Sequence, residues 1–162
     1  MADFFDRLDG SRVNRAGYER VLEATWTPQQ NVRVTSTDLP DTWANALHRL
    51  GRDLHVRQYN GSIERIEWIA DYDPDIGAVL LLSDVTVLGR GPDGWGMDGP
   101  TSRVDDPAES ILACIADLVQ DQVARARVAW PWGETGGFMS PQLLGNTAVW
   151  SDKGHHIAIG TL

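Results

Sequence analysis

From Ala108 onward, Ala108, Ile111, Leu112, Ile115, Leu118, Val119, Val123 and Ala126 recur at steps of three and four. That spacing places them on one stripe of a helix over 106–127, about five to six turns long. Asp106 has the chemistry of an N-cap, Pro107 suits the first helical position, and Glu109 stands at capping-box spacing from Asp106. Asp117, Gln120, Asp121, Arg125 and Arg127 mostly fall off the stripe, with the two arginines at the negative end of the helix dipole. Such a stripe must be covered, and strand-like segments lie on both sides of it.

Taken in order, residues 3–9 and 14–25 carry short helical faces (Phe4, Phe5, Leu8; then Tyr18, Val21, Leu22) separated near Gly10 and Ser11. Trp26-Thr27-Pro28 ends the second, and Val32 to Ser36 alternates as a strand does. Trp43, Ala46, Leu47 and Leu50 form one face of a short helix that Gly51 would close. An antiparallel meander is expected over 54–88. Its first strand alternates Leu54, Val56 and Gln58 with His55, Arg57 and Tyr59, and Asn60-Gly61 reads as a hairpin turn. Ile63, Ile66, Trp68 and Ala70 follow with a bulge near Arg65; Asp71 to Gly77 turns the chain; Ala78 to Leu88 returns, with an interruption at Ser83-Asp84. Gly89 to Val104 reads as a Gly/Pro loop. Thr147–Trp150 and His156–Ile159 read as a second hairpin turning at Asp152-Lys153-Gly154.

The expected fold is therefore a single α+β domain over 1–162: an antiparallel sheet against the 106–127 helix, with a C-terminal β-hairpin inside a small appendage at 128–162. A chain of 162 residues with 42% hydrophobic and 23% charged residues suits one globular domain. The longest apolar run, Ala78 to Leu82, is far short of the roughly 20 residues a membrane helix needs. The acidic N-terminus is unlike a secretory signal, and the lone Cys114 excludes an internal disulfide, so a cytoplasmic address and no membrane partner are expected. The net charge of −9, with scattered basic residues, argues against nucleic-acid binding.

Several motifs fail on context. Gly89-Arg-Gly91-Pro-Asp-Gly94 matches a dinucleotide fingerprint, but no helix starts before Asp106, so nothing would face a pyrophosphate. Asp71, Asp73 and Asp75 begin like a calcium loop, yet Ile76 replaces the glycine and Leu82 the bidentate glutamate. His155 and His156, adjacent on a strand, point to opposite faces, so no metal site is expected and no cofactor is implied. His55 and Asp53, two residues apart on the expected strand, are the weak catalytic candidates: a base with its orienting carboxylate. No serine or cysteine nucleophile is placed near them. Of seven tryptophans, Trp43, Trp68 and Trp150 sit on patterned elements, while Trp26, Trp95, Trp130 and Trp132 lie in turn-rich stretches where they staple loops or line a binding surface.

The tail elements Ala129-Trp130-Pro131, Ala148-Val149-Trp150 and Ile157 to Leu162 resemble the ends of a loose group of small actinobacterial proteins of unknown function. The resemblance covers roughly the last fifty residues. It implies a host lineage and carries no activity; the turn from Trp132 to Pro141 departs from the group in having neither Cys nor His.

The leading functional expectation is a non-catalytic acidic protein-binding module, in one concrete form an immunity-like inhibitor covering a basic surface on an enzyme or toxin. Its contact residues would be the acidic loop Asp71, Asp73 and Asp75 and the loop carrying Asp93, Trp95 and Asp98. The competing expectation is a small enzyme or ligand-binding domain with a pocket between sheet and helix, using His55 and Asp53. The oligomeric state is left open.

Overall fold

The computed structural model describes residues 18–96 and 100–162. The strands are β1 (Glu19–Thr27), β2 (Asn31–Thr37), β3 (Ile63–Asp73), β4 (Ala78–Val87), β5 (Gly91–Gly96), β6 (Pro100–Arg103), β7 (Ser140–Leu144), β8 (Thr147–Asp152) and β9 (His155–Ala158). The helices are α1 (Asp41–Leu54) and α2 (Ala108–Arg125). The architecture is α+β. An antiparallel six-stranded sheet has the order β2-β1-β3-β4-β5, with β6 also pairing β4, and a separate antiparallel sheet has the order β7-β8-β9. None of the described helices is long and apolar enough to cross a membrane.

The stripe read from the sequence is the buried face of α2: Ile111, Leu112, Ile115, Leu118, Val119 and Val123 all face the core, and only Ala108 at its start is exposed. The N-terminal chemistry differs. Asp106 accepts from the Arg103 backbone at 2.9 Å instead of capping the helix, and Glu109 does not close a capping box. Glu109 instead takes a two-pronged pair from Arg49 on α1 and a hydrogen bond from Ala148 N–H on β8 at 3.2 Å. Chiefly through the Arg49 hydrogen bond, its carboxyl is held below the ordinary glutamate range.

The helix expected over 14–25 is, in its described part, the strand β1; the one expected over 3–9 lies outside the described residues. Tyr18, Val21 and Leu22 span only one helical turn. Leu22, Ala24 and Trp26 alternate inward at a period of two, and Thr25 and Thr27 add β-branched residues between and after them.

Leu54 to Gln58 is not a strand either. Helix α1 runs through Gly51 to Leu54, because Leu47, Leu50 and Leu54 keep helical spacing and are buried. Gly51 is there for close approach: a Cβ would stand 2.2 Å from Asn31 Oδ1 and 2.7 Å from Val32 Cγ2. The helix thereby lies directly on the β1–β2 hairpin, and Trp26 Nε1 donates to Gly51 O at 3.0 Å. Asn60-Gly61 is correspondingly no hairpin. Asn60 takes a left-handed φ of 68° and turns the chain from the helix into β3.

The bulge expected near Arg65 is present as a register shift between Ile63 and Arg65, and β4 runs through Ser83-Asp84 without a break. The stretch Gly89–Val104 is not a free loop: β5 and β6 both pair with β4. Positive φ at Gly89, Gly91 and Gly94 accommodates the tight return, and β5 is an edge strand, where Pro92 is tolerated. The C-terminal hairpin β8–β9 is where the sequence places it, and β7 extends it to three strands. Val128, Trp130, Met139, Ala148, Trp150 and Ile159 belong to the same hydrophobic cluster as the main sheet and both helices.

On β3 and β4, Glu67 stands directly opposite Asp84. Burial pushes both carboxyls above their ordinary range, and at Glu67 the neighbouring Asp84 pushes further while the paired Arg65 opposes. For acids raised on folding, the stabilising contribution is complete below the unfolded pKa and lost as pH rises through the folded one. The contribution of this pair to the thermal midpoint is therefore expected to grow as pH falls from neutral toward the ordinary carboxyl range. Asp84→Asn, which keeps an acceptor for Gly94 N–H, should flatten that slope and raise the neutral-pH midpoint by roughly 2 °C after solvent screening. Scanning calorimetry at pH 7 and 5 reads both effects; a steeper slope in the variant would refute the assignment.

Candidate functional site

Asp53 and His55 do not share a face. Asp53 is on the last turn of α1, 1% exposed, whereas His55 is exposed beyond the helix with its ring edge-on to Trp26 at 5.3 Å. The Asp53 carboxylate is engaged elsewhere. Oδ2 accepts from Trp150 Nε1 at 2.7 Å and Gly160 N–H at 2.6 Å, and Oδ1 accepts from Leu162 N–H at 3.0 Å. Burial raises its pKa, opposed by the hydrogen bonds from Gly160, Trp150 and Leu162 and by the Arg49 charge. Arg49 itself donates to Ile159 O at 3.1 Å, and Trp130 Nε1 donates to Asp53 O at 2.9 Å. The end of α1 is thus a clasp on the C-terminal segment, and Asp53 serves architecture. An Asp53–His55 dyad is corrected by this geometry: the carboxylate meets the Trp150 indole and two backbone amides, and the imidazole is turned away.

The acidic loop is also largely interior. Asp71 and Asp73 belong to β3, at 3% and 8% exposure, because the strand runs two residues past the point where the aspartates suggest a turn. Asp75 alone of the three is exposed, in the tight turn that Asp73 Oδ1 braces by accepting Asp75 N–H at 2.9 Å. Asp93 is exposed on β5; Trp95 is half-buried on the same strand, opposite Asp84; Asp98 lies outside the described residues. The six contact residues therefore do not form one exposed patch. Among the described residues, no group of three or more His, Cys, Asp or Glu side chains is positioned to hold a metal ion.

An aromatic surface feature lies where the end of α2 meets the 57–62 turn and the 130–139 loop. Two isolated β-bridges build it. Tyr59 and Ala129 exchange backbone hydrogen bonds at 2.9 Å in both directions, and Trp132 N–H donates to Arg57 O at 2.8 Å. A second bridge sets Phe138 opposite Trp132, across a loop held by Gly133 N–H to Gly137 O at 2.8 Å. Positive φ at Gly136 and Gly137 allows that tight return. The consequence is a shelf of three rings. Tyr59 stacks on Trp132 with centroids 4.6 Å apart and planes 11° apart, and Phe138 meets Trp132 edge-on at 5.7 Å. Tyr59 and Phe138 are 55% and 52% exposed, so two large rings are held out to solvent by a third. Beside them is a cleft of about 310 Å³, lined also by Asn60, Ala124, Arg127, Val128 and Ala129.

On the other side of the same loop, Arg57, Glu134, Asp152, His155 and His156, with Met139 and Ile157, line a groove of about 390 Å³, where Arg57 pairs with Glu134 at 3.2 Å. Of the four tryptophans in turn-rich stretches, Trp26 and Trp130 are fully buried staples to α1, and Trp132 is the centre of the shelf. Tyr59, Phe138 and Arg127 carry no mark in the sequence as site residues. The one available signal is the aromatic density of Trp130-Pro131-Trp132 to Phe138 in a glycine-rich segment too irregular to bury all its rings.

Comparison with protein families, with curated proteins and with solved structures finds no match to this chain.

Proposed function

We propose that this chain is a non-catalytic protein-binding module, acting in the cytoplasm, whose contact surface is centred on Tyr59, Trp132 and Phe138. The observation that carries the reading is the shelf itself: two rings more than half exposed, packed against a third. Folding buries apolar rings where it can, at roughly 25 cal/mol per Å² removed from water, so leaving two outside forgoes stability. Rigid aromatic groups presented beside a cleft are the groups that dominate binding energy at protein interfaces, since little side-chain entropy remains to be lost. The net charge of −9 supports a partner with a basic face, drawn in by long-range attraction, and an immunity-like inhibitor is the concrete form of that reading. The burial of Asp71 and Asp73 counts against the acidic strand as a contact surface and in this way supports the shelf.

The test is capture from host lysate on immobilised protein, at low and high salt, comparing the wild type with the Tyr59→Ala/Phe138→Ala variant. A basic protein retained by the wild type, reduced by salt and absent from the variant is the expected result. Equal retention by both would remove the shelf from the interface.

A further inference from the structure

We infer that the cleft beside the shelf takes the C-terminal residue of a partner polypeptide, an apolar side chain lying against the rings and its free carboxylate on Arg127. This rests on the binding reading above and names the chemistry of the anchor.

Three observations combine. The first is backbone conformation. Among the described residues five non-glycine positions have positive φ, and three of them, Arg57 (67°), Asn60 (68°) and Arg127 (64°), surround this one corner of the molecule. Arg127 follows the end of α2, where a left-handed residue is common and glycine is the usual one; the Cβ that glycine lacks makes arginine costlier there. Strain of that kind at a surface position points to a use for the side chain.

The second is electrostatic. The end of a helix carries partial negative charge and would repel an anion. Here Arg90 offsets it: Nη1 donates to Ala126 O and Arg127 O, both at 3.1 Å, and Nη2 donates to Asn60 O at 2.6 Å. Arg57 is committed to Glu134. The Arg127 side chain is exposed, lines the cleft, and makes no hydrogen bond or ion pair with the described residues. In a chain of net charge −9, that leaves a local cationic point next to an apolar surface. A cationic anchor is disfavoured by the like charge of Arg127 beside the rings.

The third is size. An open cleft of about 310 Å³ is at the small end of ligand sites and suits a compact anchor that presents an apolar group and a carboxylate close together. A chain terminus places its carboxylate on the same Cα as its side chain.

The test titrates isotope-labelled protein with three peptide probes and follows the Tyr59, Asn60, Arg127 and Ala129 amides and the Trp132 indole by NMR. The probes are N-acetyl-Gly-Phe with a free carboxylate, its C-terminal amide, and N-acetyl-Asp-Phe-amide. Expected is saturable millimolar binding of the acid at these resonances, with both amides at least about fivefold weaker, as for one charge-assisted pair. Arg127→Gly should bring the acid down to the level of its amide while leaving the thermal midpoint equal or higher, because glycine relieves the left-handed residue. Equal affinity of acid and amide, a match by the aspartyl probe, or no saturable shift at the shelf each overturns the inference. The first of these leaves the aromatic contact standing, and the capture experiment decides the binding reading independently.

Discussion

Replacing Asp53 by alanine is expected to cost about 2–4 kcal/mol. The substitution removes one acceptor group and strands three donors: the Trp150 indole N–H and the backbone N–H groups of Gly160 and Leu162. The buried Trp150 donor left unsatisfied costs roughly 1–3 kcal/mol, and the part-buried Gly160 and Leu162 donors, which water reaches in part, each add less. Asp53→Asn separates the contributions. Its single carbonyl oxygen can take the Oδ2 role for Trp150 and Gly160, but its NH₂ then opposes Leu162 N–H, so roughly half the loss is expected. Denaturant unfolding reads the total. Hydrogen exchange at Gly160 and Leu162 reads where the loss falls: faster exchange at these amides ahead of the global rate identifies the clasp. His55→Ala, at an exposed position, should change stability little. An Asp53→Ala protein as stable as wild type would show that the carboxylate does not hold the C-terminal segment.

That clasp marks the limit of what the sequence reveals. Helix α2 is legible because its apolar period repeats over five turns and local spacing alone decides it. The β8–β9 hairpin is legible through Lys153-Gly154, both with positive φ. In α1, by contrast, Gly51 looks like a terminator and is a point of close contact with β1–β2, a fact set by residues 20 positions away. Asp71 and Asp73 look like loop residues because aspartates in sequence say nothing about how far a central strand extends. Asp53 looks like a partner for His55 if both lie on a strand; on a helix end it is aimed instead at residues about 100 positions later. The shelf is least legible of all. It depends on two single β-bridges, Tyr59 with Ala129 and Trp132 with Phe138, which leave no periodicity behind.

Trp132→Ala is expected to abolish partner binding as completely as removing Tyr59 and Phe138 together. Trp132 is the half-buried member of the three, and each outer ring is positioned by contact with it and not with the other. Removing it leaves Tyr59 and Phe138 present but free to turn, so the ordering entropy that the stack has already absorbed returns as a cost on binding. A central aromatic anchor of this kind is worth about 2–4 kcal/mol, a loss of roughly 30- to 1,000-fold in affinity. The energies are then strongly non-additive. Tyr59→Ala or Phe138→Ala should be costly in the wild type and nearly silent when Trp132 is already alanine. Stability responds differently: Phe138→Ala should change it little, since half of that ring is in water, while Trp132→Ala should lose about 1–2 kcal/mol of packing. Affinities for the captured partner across this mutant cycle give the coupling directly. Additive losses would mean that the rings act as independent contacts, and the rigid shelf would no longer explain why they are held in solvent.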